Sequence, residues 1–385
     1  MEYELIDVDS HVQERPDCWT SRMSKAKWGD RIPHIGVVEN PEFALYMVSP
    51  TAKKREGWFI DGQPRSPFPS ICHAAMPDRE TLPAVWDEVP KMVYDARERL
   101  KAMDRDGVGA QAFYPNSAGP AGDALQALEP DLEEECARAY NDMLVDEFLA
   151  VRPRFIPLAI MVYSDIRRTV AEVERSVKRG HKGVVMISTP HQRGLPHFND
   201  RYWDPLWATV QDLGVPVNFH GSGGSAKMLF DILPGTSSRR SRAIRGSAGF
   251  SLQAQFFCNF LFSKVLDRFP GLTFVVAESG LGWVPYVLEA CDHEWEQCRL
   301  YDHGYPTRPS DLFRRNCYVD FWYEQVGLQY RHVIGVDRIM WESDFPHPTS
   351  IWPESRKHVE LSLKGVPEDE RRQILVENAK RVYKL

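Results

Sequence analysis

The sequence predicts an α/β fold, a distorted (β/α)8 TIM barrel with an N-terminal capping insertion, and three observations predict it. Short β-rich runs alternate with longer amphipathic stretches nearly from end to end, which implies parallel strands joined by right-handed crossovers. Eight such runs can be counted across the 385 residues, the number that closes a barrel. No glycine-rich phosphate loop follows the first run, which disfavours a doubly wound open sheet.

The eight candidate strands are 4–9 (ELIDVD), 110–114 (AQAFY), 155–161 (FIPLAIM), 183–188 (GVVMIS), 215–219 (VPVNF), 272–277 (LTFVVA), 318–322 (YVDFW) and 338–341 (RIMW). Helical spacing of apolar residues marks 131–152, 165–179, 202–213 and 282–300 between them. Residues 15–95 break the rhythm: ten prolines and turn-forming pieces such as SPTAKK make this stretch too long for one βα loop. Trp19, Trp28, Trp58 and Trp86 lie in it, so a cap packed over the first strand's C-terminal end is expected within a single domain spanning 1–385.

Composition narrows the function. Hydrophobic residues make up 43% and charged residues 26%, so a substantial core can form. Net charge is −7, from 47 Lys and Arg against 54 Asp and Glu, with no basic stretch; this argues against sequence-independent nucleic-acid binding. No apolar run reaches membrane-spanning length, and the opening MEYELIDVDSH has no apolar signal core, so a cytoplasmic location away from membranes is expected. Seven scattered cysteines with no CxxC pair indicate neither a disulfide framework nor a zinc ribbon.

Metal-capable residues recur at the C-terminal ends of the strands, where a barrel of this kind places its active site. DVDSHVQE puts Asp9 and His11 two apart, on one side of an extended strand, with Glu14 three further on. VNFHGSGG places His220, VVAESGLGW places Glu278, and MWESDFPHP supplies Asp344 and His347. Asn116, Ser117, Thr189, His191 and Glu324 are softer candidates. Each alone reads as readily as a helix cap, an ion-pair partner or a hydrogen-bonded histidine. Four strands ending together in ligand-type residues favour a metal site. His73 is the insertion's histidine to reconsider, and the arginines of 239–245 (RRSRAIR) offer a carboxylate fork or simply a solvated or subunit-facing loop.

From IDVDSH through His220 to WESDFPHP and the closing ILVENAKRVYKL, the chain resembles the amidohydrolase-related proteins, in the branch containing aminocarboxymuconate-semialdehyde decarboxylase and related decarboxylases and lactone hydrolases. The resemblance implies a metal-dependent barrel with Asp344 and His220 as ligands and His11 as the second histidine of a strand-one HxH pair. Three departures stand out: Asp9 replaces the first histidine of that pair, Thr189 or His191 stands where a strand-four histidine belongs, and Glu278 replaces the catalytic histidine after strand six. A variant subgroup with DxDSHxxE and SDxPHP looks like this. Some of its members resemble dinuclear iron or iron–manganese enzymes.

Asp9, Glu14, Glu278 and Asp344 would leave excess negative charge around one divalent ion, whereas two ions would balance them. One or two ions of iron, manganese or zinc are therefore expected, with Asp9, His11, Glu14, His220, Glu278, Asp344 and His347 as ligands. Glu278, His220 and Asp344 are the expected catalytic groups, Glu278 also as a general acid or base. The expected activity is hydrolysis or decarboxylation of a small carboxylic acid by metal-activated water. The alternatives are a dinuclear oxygenase and a non-catalytic scaffold subunit. A homo- or hetero-oligomer is expected, with neither nucleic acid nor membrane as partner.

Overall fold

Eight parallel strands close on themselves in the computed structural model, which describes residues 3–38, 47–48, 55–119, 121–220, 238–248 and 251–385. The barrel strands are β1 (Ile6–Val12), β2 (Ala110–Pro115), β3 (Phe155–Ile160), β4 (Gly183–Met186), β5 (Val217–His220), β6 (Phe274–Ala277), β7 (Cys317–Phe321) and β8 (Ile339–Trp341). Each pairs with its sequence neighbours, and β1 closes the ring against β8 through Asp7 opposite Trp341. Apolar residues facing both the barrel interior and the surrounding helices make nearly every strand position buried.

The helices begin and end where local chemistry directs them. Asp165 caps Ile166–Arg179 by accepting the Arg167 and Arg168 amides, and Gly180 closes it in the left-handed region at φ 117°. The stretch expected as one helix over 131–152 is instead Pro130–Met143 followed by a π-helical segment, Leu144–Leu149. The first strand is longer than its apolar pattern indicated: it runs to Val12 and carries a one-residue register shift against β2 between Asp7 and Ser10. Asp9 and His11 thus lie within β1, on a strand whose shift re-aims its side chains.

Of residues 15–95, His34–Val37, Glu56–Ile60 and Gln63–Ser66 form a small antiparallel sheet. Main-chain and side-chain hydrogen bonds attach this stretch to strand exits of the barrel. The Gln13 amide donates to the Val93 carbonyl, the Ala74 amide to Pro346, and Asn116 Nδ2 to Ile71. Trp19 and Trp58 are fully buried edge to face at 5.3 Å, so they are core rather than pocket wall. All seven cysteines are thiols. No helix among the described residues is long and apolar enough to cross a membrane.

One buried cation ties the first and last strands together. Arg99 donates from Nε to Gln111 Oε1 at 2.7 Å and from Nη1 to the His11 carbonyl at 3.1 Å, and it stacks on Phe345 at 4.4 Å. Asp7, which accepts the Ser343 and Gln111 side chains, lies close enough to stabilise its charge. Arg99→Ala strands the Gln111 and His11 acceptors, empties a buried side-chain site and removes the cation that stacks on Phe345. The expected loss is about 3–5 kcal/mol of unfolding free energy, read by chemical denaturation.

Candidate metal centre

Two strands and one strand exit bring the central residues together. The His11 amide donates to the Phe345 carbonyl at 2.7 Å and the Asp344 amide to the Asp9 carbonyl at 3.0 Å, so pairing of β1 with the chain after β8 sets Asp9, His11 and Asp344 side by side. His220 arrives from the end of β5, across the barrel. Asp344 sits at φ 52° and Glu278 at φ 50°, a region that residues with a Cβ avoid and that is found preferentially at functional sites.

The side chains converge on the Nε2 atom of His11. Asp9 Oδ1 is 3.6 Å from it, Asp344 Oδ1 3.5 Å and His220 Nε2 3.0 Å, while His220 Nε2 is also 3.2 Å from Asp9 Oδ2. His347 stacks on the His11 ring at 3.7 Å, with Nδ1 3.1 Å from Asp344 Oδ1. Ligand atoms of Asp9, His11 and His220 lie within 4.8 Å of one another, as do those of His11, Asp344 and His347.

The chemistry of this set fits a divalent cation. His11 Nδ1 lies 2.9 Å from the Pro115 carbonyl; donating its proton there turns the Nε2 lone pair toward the cluster. Burial, and then the neighbouring His347, pulls the His11 imidazole down to about 3, so it is neutral and able to ligate; burial likewise lowers His220. Asp9 is fully buried with no aligned hydrogen bond on either oxygen and the Glu342 carboxyl as its neighbour, and Asp344 Oδ1 faces His347 Nδ1 and His11 Nε2 without an aligned hydrogen bond. Buried carboxylate oxygens left unpaired are costly, and a cation at their meeting point satisfies them. Burial and the Asp344 charge raise Asp9 well above the carboxylate range. Burial also works to raise Asp344, but His347 and His11 outweigh it and hold that carboxyl low.

The remaining expected ligands fall elsewhere. Glu14 is corrected: its oxygens accept the amides of Ser117 at 2.7 Å and Ala118 at 3.0 Å, clamping the turn after β2, so it does not join the cluster. The main-chain amides of that turn, where Ala118 is fully buried, need an acceptor, and the Glu14 carboxylate supplies it. Glu14→Gln is expected to leave bound metal unchanged, as measured by elemental analysis. Glu278 stands outside both clusters, with Oε2 3.8 Å from His220 Nδ1, on the ring edge opposite the one that faces Asp9. Burial and the charge of Asp344 push its carboxyl up to about 8 against the pull of His220, although its side chain keeps 23% exposure.

Among the softer candidates, His191 is exposed and stacks on His197 at 4.4 Å, and Glu324 accepts the Trp322, Tyr323 and Leu281 amides. Ser117 accepts from Gln13 Nε2, and His73 is buried beside the Pro346 carbonyl that its neighbour Ala74 binds. In the arginine run, Arg239 pairs with Glu80 and Arg242 donates to the Arg79 and Pro348 carbonyls. The side chain of Arg245 lies outside the described residues.

Two fully buried carboxylates next to the cluster escaped the sequence reading, Asp320 on β7 and Glu342 directly after β8. Burial raises both well above the ordinary range, helped for Asp320 by the charge of Asp9 and for Glu342 by the charges of Asp320 and Asp9. A signal existed for each. Asp320 interrupts the apolar run YVDFW, and Glu342 stands two residues before Asp344 at the same exit.

A family model described as amidohydrolase matches residues 69–385, a span that begins after Asp9 and His11. A gamma-resorcylate decarboxylase of a Polaromonas species is 24% identical over 333 residues, covering 80% of this chain and 92% of that protein. An amidohydrolase structure from Mycobacterium avium subsp. paratuberculosis superposes with a TM-score of 0.76 at 22% identity over 100% of both chains. A dihydroxybenzoic acid decarboxylase from Polaromonas, solved with manganese and the inhibitor 2-nitroresorcinol, superposes with a TM-score of 0.61 at 24% identity, covering 78% of this chain and 89% of that one.

Proposed function

This chain belongs to the amidohydrolase family of enzymes, and from that premise we propose that it decarboxylates a small hydroxylated aromatic acid with the help of one divalent ion, manganese by preference. The observation that carries the reading is the convergence of Asp9, His11, His220 and Asp344, with buried carboxylate oxygens of Asp9 and Asp344 that no aligned hydrogen bond satisfies. Two carboxylates and two neutral imidazoles balance the charge of one divalent ion. His11 has a single lone pair to offer, Glu14 is bound to backbone amides, and Asp320, Glu324 and Glu342 accept the amides of the turn after β6, which leaves one shared ligand set around His11. This favours a mononuclear site over the dinuclear oxygenase.

The bound ion would supply Lewis acidity and fixed positive charge for an anionic substrate. Asp9, His11, His220 and Asp344 would hold it, His347 keeping the His11 plane and Thr349 donating its hydroxyl to Asp344 Oδ2. Glu278 does the proton work. Burial and the Asp344 charge raise its carboxyl and favour the protonated form on the edge of the cluster. That proton passes to the ring carbon bearing the substrate carboxylate; the carbon–carbon bond breaks, its electron pair stays on the ring, and carbon dioxide leaves. Partial exposure lets Glu278 regain a proton from water. The described parts of residues 15–95 would cover this site, held to the exits of β1, β2 and the chain after β8.

The test is incubation of the manganese-loaded protein with 2,6-dihydroxybenzoate and other ortho-hydroxylated benzoates, following carbon dioxide release. Turnover that disappears on chelation and returns with manganese supports the reading. Absence of turnover across the series, or turnover indifferent to chelation, overturns it.

A further inference from the structure

The turn that carries Glu278 is held from outside by three carboxylates. The Glu278 amide donates to Glu342 Oε2 at 2.9 Å. The Ser279 amide and hydroxyl both donate to Asp320 Oδ1, at 3.3 and 3.1 Å, and the Leu281 amide donates to Glu324 Oε1 at 3.2 Å. Between them Gly280 has φ 64°, and a Cβ built there would come 2.8 Å from Glu324 Oε1. The turn after β6 thus has three of its backbone donors fixed by side chains from β7 and from the exits of β7 and β8.

Such an arrangement is expensive for Glu342. Its carboxyl is fully buried beside Asp9 and Asp320, and Oε1 has no aligned hydrogen bond. An apolar side chain of similar size would be better accommodated in that position. Beside its contact with Asp9, the buried carboxyl receives the amide of Glu278, a residue at φ 50° whose carboxylate lies 3.8 Å from His220.

We infer that Glu342 is a positioning residue that holds Glu278 in its proton-donating pose through the Glu278 amide, with Asp320 and Glu324 fixing the next residues of the same turn. The inference rests on the reading of Glu278 as the proton donor. It assigns Glu342 a role in geometry, distinct from holding the ion. Without its acceptor the Glu278 backbone relaxes out of the left-handed region, and the carboxyl moves away from the reacting carbon.

The test compares Glu342→Ala with Glu342→Gln, which keeps a carbonyl acceptor, in the manganese-loaded protein with 2,6-dihydroxybenzoate. For Glu342→Ala, kcat is expected to fall on the order of 10²-fold while KM and bound manganese stay at parent levels. Amides of residues 278–281 should exchange hydrogen faster in this variant, and Glu342→Gln should restore most of both properties. Unchanged kcat, a loss of kcat that only follows loss of manganese, or unaltered exchange overturns the inference. If the parent itself shows no turnover, the proposed function fails, and the exchange comparison still decides whether Glu342 holds the turn. Should Glu342→Ala fail to fold, Gly280→Ala strains the same turn from the Glu324 side, and an unchanged kcat and exchange pattern there would also overturn it.

Discussion

His11→Ala is expected to strip the protein of its divalent ion and of its activity together. His11 contributes the atom around which Asp9, Asp344 and His220 gather, and its other nitrogen is committed to the Pro115 carbonyl. Removing it leaves Asp9 and Asp344 facing an ion with half the imidazole donors. Loss even of a group that merely orients a metal ligand weakens binding about 10–100-fold, so loss of this ligand should exceed that range. Elemental analysis after dialysis against chelator-free buffer measures it directly. A second readout is thermal: manganese binds the native state and should raise the parent's melting temperature with concentration, while His11→Ala should show little rise. A variant that keeps full metal occupancy would remove His11 from the site.

Glu278→Gln is expected to lower kcat by about 10²–10⁴-fold with bound metal unchanged. Glutamine preserves the size of the side chain and the backbone turn but carries no transferable proton. The pH dependence gives the same group a second signature. Glu278 must be protonated to act, and its pKa is raised, to about 8, so the parent is active below that value and loses activity as pH rises through it. A bound cation favours the carboxylate and draws this limb to lower pH. The slope of the fall should be one decade in kcat per pH unit, and Glu278→Gln should flatten it. A parent whose kcat stays level across the alkaline range would transfer the proton step to another group.

Much of this protein was legible in its sequence because its signals are local. All eight barrel strands were placed within a few residues, since each is a short apolar run flanked by helical periodicity and cap chemistry such as Asp165 before Ile166–Arg179. The strand-end placement of Asp9, His11, His220 and Asp344 followed from the fold class alone, because barrel strands deliver their C-terminal residues to one mouth. Tertiary structure decided what spacing could not. Glu14 lies three residues from His11 on the chain, yet the Ser117 and Ala118 amides claim its carboxylate, a partnership more than a hundred residues distant in sequence. Glu278 belongs beside His220 Nδ1 and outside the two clusters, because φ 50° turns its carboxylate away from the Nε2 edge. Asp320 and Glu342 carry only faint sequence signals, an acidic break in an apolar run and a place two residues before Asp344. Their meaning comes from packing, which buries both beside Asp9 and leaves the amides after β6 as donors for them to receive. The sequence alone determined where each strand delivers its polar residues. Closure of the barrel decided which of those residues face one another, because hydrogen bonds and desolvation act between groups that only the folded chain brings together.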